Sequence, residues 1–194
     1  MRGQSGSRLL ITRGAIDIPL DGILLFAEDF GPMNEPRDIP GVIAPPPLIA
    51  LAALLLGVAL DWLFPSFILR AVFLFWTRLT IGAILIAAGA AMATIAGRSF
   101  VQAGTNVGPW KPSLTLVTGG IFAWMRNPMY VGLMLVVAGL GIALASDWTL
   151  VLLVPAALIL HFGVVTREER YLEKKFGESY RVYMSKVPRY GLPS

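Results

Sequence analysis

Four long apolar stretches, separated by polar or proline-bearing breaks, set out this chain. The first runs from about Leu48 to Phe64; Pro45-Pro46-Pro47 stiffens its entry and Pro65 closes it. The second runs from about Leu79 to Ala96, the third from Pro128 to near Ala145, and the fourth from about Trp148 to Val165. Ser146-Asp147 is the tight turn between the last two, which lie near the short limit for crossing a hydrocarbon layer of about 30 Å. A shorter apolar piece, Leu69 to Trp76, is interrupted by Arg78 and suits the membrane interface. Within the second stretch, Gly89, Ala93 and Gly97 recur at spacing four, a small-residue face that permits close helix contact.

The intervening segments differ in kind. Residues 98 to 127 form a long polar connection rich in Gly and Pro, with Trp110, Phe122 and Trp124 pointing to a packed, interfacial loop. Asn127 suits a helix N-cap, and Pro128 the first helical position. After Val165 the chain is charged and amphipathic: Leu172, Phe176, Tyr180 and Tyr183 recur at helical spacing. Gly177 suits a cap inside this part, and Pro188 stops it. Residues 1 to 40 mix Gly, Ser, Pro and scattered charges, and their one apolar patch is too short for a signal peptide. They read as a disordered or mis-assigned extension, with Met33 as a more natural start, and residues 41 to 194 as a single membrane-embedded domain.

Composition fixes the class. The chain is 56% hydrophobic and 14% charged, against about 25% charged for a soluble domain. The expected fold is an all-α integral membrane protein with about four transmembrane helices and a C-terminal cytoplasmic amphipathic helical segment. Cysteine is absent and His161 is the single histidine, which excludes thiolate chemistry and a multi-histidine metal site. Fourteen of the sixteen basic residues fall on one side of a four-span arrangement, leaving Arg70 and Arg78 on the other. By the positive-inside rule the richer side is cytoplasmic. That distribution also explains the sequence pI of 9.7 without nucleic acid, since the basic residues form no stripe interleaved with exposed aromatics.

Chemistry-bearing residues gather at that side. Arg126-Asn127-Pro128-Met129-Tyr130 opens the third stretch, and Glu168-Glu169 follows the fourth. The hairpin's return brings the two clusters together. Free N–H groups at a helix start, with Arg126 beside them, suit a ligand carboxylate. The glutamates suit an ammonium or ribose hydroxyls. Two structural alternatives stand beside this one. Arg126 marks a membrane boundary, and Thr166-x-x-Glu169 has the form of a capping box.

Those two clusters, with Phe176-Gly177, Tyr180, Tyr183, Val187-Pro188-Arg189, the preceding Leu116 to Phe122 and Gly104-Thr105, resemble the C-terminal signature of the isoprenylcysteine carboxyl methyltransferase and phospholipid methyltransferase superfamily. The resemblance covers about residues 98 to 190. It implies a membrane-integral enzyme that uses S-adenosylmethionine without a Rossmann domain, and the chain has no Gly-x-Gly-x-x-Gly after a strand. It implies that Arg126, Asn127, Pro128 and Tyr130 line the cofactor pocket, that Glu168 and Glu169 hold the cofactor's amino group or ribose, and that Arg189 lies near a carboxylate. Asn127 stands where many members carry histidine, so any acid–base duty of that histidine is lost here. His161, seven or eight residues before the glutamates, is a candidate proton acceptor. The resemblance further implies a lipophilic acceptor entering from the bilayer, with a carboxylate favoured and a phospholipid amine as the alternative. The first two spans are expected to shape its pocket. With the charge bias, it implies a multi-pass protein of a bacterial inner membrane whose site faces the cytoplasm. A nicotinamide-dependent membrane reductase and a non-catalytic membrane protein are the competing classes.

Overall fold

Proline placement starts and stops the first helix. The computed structural model describes residues 38–191, so expectations for residues 1 to 37 lie outside the described part. Helix α1, Pro46–Leu63, begins with proline in its first turn, where the missing N–H costs nothing, and ends at Phe64, whose helical conformation Pro65 disfavours. A one-turn helix α2, Ile68–Val72, follows. Helix α3 then runs from Phe75 to Gln102, longer at both ends than its apolar stretch. A 3-10 turn, Gly120–Ala123, closes the polar connection. Helix α4, Pro128–Leu144, has proline at its first position as expected and ends on Ala145, a non-glycine residue at φ +55°. Ser146 caps α5, Asp147–Leu160, by accepting a hydrogen bond from the Thr149 N–H.

Helix α5 contains Pro155 and does not stop at its C-terminus. It passes through a π turn, His161–Val165, directly into α6, Thr166–Phe176. Gly177, at φ +55°, then breaks the chain into α7, Glu178–Lys186. No strand occurs among the described residues. Three helices are long and apolar enough to cross a membrane: α1, α3, and the continuous α5–α6 rod from Asp147 to Phe176. Helix α4 is apolar but shorter. The outward faces carry large exposed apolar side chains, including Leu55, Ile84 and Val154, as lipid contact requires.

Small residues set the tightest contacts. Helices α3 and α4 run antiparallel and meet at Gly82 against Gly139 and at Gly89 against Gly132. A Cβ added at Gly89 would lie 2.4 Å from the Gly132 carbonyl oxygen, and one at Gly82 would lie 2.6 Å from that of Gly139. The expected face of spacing four is therefore only partly used. Gly89 and Ala93 face the contact, but Gly97 meets nothing within 4 Å. The working repeat is seven residues, which keeps one seam facing a partner helix over two turns. Gly57 of α1 similarly lets the backbone of Thr149 approach, joining α1 to α5.

Candidate functional site

Five segments converge at one end of the bundle: the end of α3, the connection after it, the start of α4, α6, and the chain from α7 to Gly191. Buried aromatics glue them. Tyr180, Tyr183 and Val187 form a small core against Leu116 and Leu172. The Tyr183 hydroxyl donates to the Phe122 carbonyl at 2.6 Å. Burial pushes the phenol pKa of Tyr180 and Tyr183 up, so both remain neutral donors. The connection is folded, as its aromatics led us to expect. Thr105 Oγ1 accepts from the N–H groups of Leu114 and Thr115, Asn106 Nδ2 donates to the Pro112 carbonyl, and the Ser113 N–H donates to the Tyr171 hydroxyl.

The structure brings the two predicted clusters together. Glu169 is 7% exposed. Arg189 grips it with a forked pair, Nη2 to Oε2 at 2.6 Å and Nε to both oxygens at 3.0 Å. That contact raises the Arg189 pKa further. Arg126 Nη2 lies 3.4 Å from the other oxygen. Asn127 occupies the N-cap position of α4, yet its side chain makes no cap bond. Its Nδ2 donates to Glu169 at 3.4 Å and to the Arg189 carbonyl at 3.3 Å. The Arg126 N–H donates to the Pro188 carbonyl at 3.0 Å. Glu169 is thus the knot that ties the terminal segment to α4.

The capping box is corrected. The α5–α6 rod has no helix start at Thr166, and the Thr166 hydroxyl donates back to the Phe162 carbonyl at 3.0 Å. An N-cap needs free N–H groups, and a continuous helix has none.

Glu168 is differently placed. It accepts from the Tyr130 hydroxyl at 2.6 Å, the one hydrogen bond to its side chain among the described residues. A carboxylate has about four acceptor sites, so Glu168 keeps capacity that Glu169 has spent. Both glutamates, Arg126, Asn127 and Asn106 line a polar cavity of about 50 Å³ beneath the connection, with Phe100 and Phe122 on its wall. The Arg126 Nε is buried there and has no partner among the described residues. Pro128 acts through the backbone by starting α4.

His161 lies in the π turn, and its Nδ1 meets the Tyr190 hydroxyl at 2.8 Å rather than bonding either glutamate. Tyr190 escaped the sequence reading, and its only signal was adjacency to Arg189. Tyr130 borders both sides. Its hydroxyl holds Glu168, and its ring lines two apolar grooves. One, of about 520 Å³, lies between α4 and α5 and ends at His161 and Tyr190. The other, of about 320 Å³, lies between α4, Ala93 of α3, the connection and the start of α1. The first two spans contribute to the smaller groove and not to the larger.

Comparison with known proteins gives the family. Residues 77–179 match the phospholipid methyltransferase family model. The chain belongs to the phospholipid methyltransferase family. The matched stretch takes in nearly all of α3, the connection, α4 and the α5–α6 rod, and so contains Arg126, Asn127, Tyr130, Glu168 and Glu169 but not Tyr180, Tyr183, Arg189 or Tyr190. Similar curated proteins include the protein-S-isoprenylcysteine O-methyltransferase of Schizosaccharomyces pombe, 40% identical over 79 residues, which is 40% of this chain and 33% of that protein. The Xenopus laevis protein of the same name is 38% identical over 81 residues, 42% of this chain and 28% of its own length. The matched part of this chain therefore spans about a third or less of these relatives. No solved structure matches.

Proposed function

We propose that this chain is a membrane-embedded methyltransferase that uses S-adenosylmethionine to methylate a lipophilic acceptor, with a carboxylate acceptor favoured. The observation that carries this reading is Tyr130. One residue joins a polar cavity, through the bond to Glu168, to an apolar groove of about 520 Å³ on the helix surface. A site that must align a water-soluble donor with a bilayer-borne acceptor needs that junction.

The residues suit the donor chemically. Glu168 has acceptor capacity for an ammonium or ribose hydroxyls, the unpartnered Arg126 Nε can serve a carboxylate, and the Phe100–Phe122 pair, with centroids 4.9 Å apart, offers an apolar wall for a base. The cavity of about 50 Å³ takes only part of a nucleoside, so the connection has to move outward on binding. When bound, the group supplies a methyl on a sulfonium, an electrophile that needs no metal. The chain's own task is then to orient the acceptor and to exclude water. Arg126 and Arg189 balance Glu168 and Glu169 at the site, so a cationic donor is met most readily by an anionic acceptor. The same count disfavours a nicotinamide reductase, since both site arginines are already paired with Glu169 and leave little net positive charge for a 2′-phosphate.

We read the membrane arrangement as four spans. Helix α4 has 17 residues, about 26 Å at 1.5 Å per residue, just short of the hydrocarbon thickness of about 30 Å. The charge bias supports a site on the cytoplasmic side, and we read the membrane as a bacterial inner membrane.

The test is calorimetric binding of S-adenosylhomocysteine to purified protein, followed by transfer of labelled methyl groups to total lipid extract and mass identification of the product. Micromolar binding and an esterified product are expected. A methylated amine would move the reading to phospholipid N-methylation, and dinucleotide binding would replace it.

A further inference from the structure

The terminal segment faces two ways. Arg189 turns to the polar cavity and grips Glu169, while Tyr190, the next residue, turns to the α4–α5 groove and meets His161. The groove is bounded by Val131, Met134 and Ala138 on α4 and by Leu153 and Ala157 on α5. From Tyr130 to Ala138 it follows eight residues of helix, about 12 Å. Nearly all of its lining is apolar. Tyr130, His161 and Tyr190 are the polar exceptions, and they sit together at the inner end. Tyr130 is already held by Glu168. His161 and Tyr190 hold each other, at 2.8 Å, across the place where the groove meets the site.

We propose that the His161–Tyr190 hydrogen bond is a gate at the inner end of the α4–α5 groove, which the methyl acceptor opens by taking over both partners with its own polar head. The proposal rests on the methyltransferase reading above. An apolar chain in the groove gains burial, but it brings its head to a wall of side chains. The head can advance only where hydrogen bonds replace those it lost in water. The Tyr190 hydroxyl donates, and burial raises its pKa, so it stays protonated. A histidine ring N–H is the second donor, in the tautomer that carries its proton on the side facing the head. A carboxylate accepts from both at once. Its oxygen then forms the new bond to the methyl carbon as the carbon–sulfur bond breaks and its electron pair stays on sulfur, so no proton is transferred. His161 and Tyr190 are in this account positioning residues. Their bond spans the terminal segment and the π turn, two elements that the Glu169 knot keeps close, so opening the gate need not undo the knot.

His161 is the sole histidine of the chain, which gives the gate a spectroscopic handle. Untagged protein labelled with 15N-histidine, in detergent with S-adenosylhomocysteine, should show one pair of ring signals. Adding farnesoic acid, a single-chain carboxylate, should shift them, and Tyr190→Phe should shift them before any addition. With labelled S-adenosylmethionine, Tyr190→Phe and His161→Ala should each raise KM for that acid by about tenfold. The affinity for S-adenosylhomocysteine should stay within twofold. Combining the two substitutions should raise KM beyond either alone, because each removes one of the two donors to the head. A ring signal indifferent to the acid overturns the gate. So does a loss of melting temperature in Tyr190→Phe with no change in KM, which would make the bond a simple tie for the terminal segment. Wild-type protein that binds no S-adenosylhomocysteine would overturn the methyltransferase reading itself, and the two failures are therefore told apart.

Discussion

The two ends of the helix bundle each hold a pair of acidic groups, one buried and one half-buried, and they spend them differently. At the far end, Asp147 accepts from the Ile68 and Leu69 N–H groups, at 2.8 and 3.0 Å, and so caps the short helix α2. Asp61 accepts from the Ser146 hydroxyl and the Trp148 N–H, which locks the α4–α5 turn to α1. Backbone N–H groups and one serine hydroxyl bind these carboxylates, and among the described residues no cation pairs with either. At the other end, Glu169 is consumed by two arginines and an asparagine, and Glu168 is held by one phenol facing a cavity. A buried carboxylate saturated by nearby backbone builds structure. One left short of partners beside a cavity is available to a ligand. By that measure three of the four are structural, and Glu168 alone is poised.

Removing the knot should have the largest effect. Glu169→Ala strands Arg126, whose side chain is 10% exposed, and frees Arg189. Breaking a buried pair costs about 3–5 kcal/mol. The lower end applies here, because the Arg189 side chain is 35% exposed and water can reach it. Thermal unfolding should show the loss, and trypsin should cleave more readily at Lys186 and Arg189 as the terminal segment lifts. A variant with wild-type melting and cleavage would show that Glu169 serves a ligand rather than the fold.

Asp147→Ala should come next. It leaves two N–H groups of α2 unpaired, a loss of about 1–2 kcal/mol by analogy with other helix caps. Affinity for S-adenosylhomocysteine should not change, since the substitution lies at the opposite end. Weakened binding there would mean that the two ends are coupled through the helices, and the contrast drawn above would fail.

The sequence made the site end more legible than the contacts within the membrane. Pro128 announced the start of α4, and Ser146-Asp147 the turn after it, because prolines and caps act locally, although Asn127 stands at the N-cap position without capping. The convergence of Arg126, Asn127 and Tyr130 with Glu168 and Glu169 followed from one hairpin return. The partners within that cluster did not follow. Adjacent glutamates point different ways on a helix, so which one meets Arg189 and which meets Tyr130 depends on packing. The capping box failed because the π turn carries the helix through Thr166, and no local pattern marks that continuation. The Gly82–Gly139 and Gly89–Gly132 contacts hid in an apolar stretch where many spacings are available, and only a partner helix selects seven. Gly89 is therefore a packing residue, and a larger side chain there would force α3 and α4 apart rather than reshape an acceptor pocket.

Glu168→Gln tests the poised carboxylate itself. The amide oxygen can still accept from Tyr130, so melting should change little. The charge that would meet an ammonium is gone. A hydrogen bond to a charged group is worth about 1.5–3 kcal/mol, so S-adenosylhomocysteine should bind at least about tenfold more weakly. Unchanged affinity would return Glu168 to the structural class and empty the comparison of its functional half.

Tyr130→Phe should have the smallest effect and separates two parts of the same argument. The ring remains, so the walls of both grooves keep their shape. The hydroxyl at 2.6 Å from Glu168 is lost. Glu168 then lacks its protein donor, but it sits at the edge of a polar cavity where water or the ligand can replace it. Because the lost donor is replaced and the charge of Glu168 stays, only a small part of the bond's worth is felt, which predicts a loss in S-adenosylhomocysteine affinity of roughly threefold, read by calorimetry. Tyr130→Ala also removes the ring and opens the junction between cavity and groove, so acceptor turnover should fall further than cofactor affinity does. If the two variants lost equally in both measurements, Tyr130 would be acting through its hydroxyl alone, and the junction that links the polar site to the membrane groove would lie elsewhere.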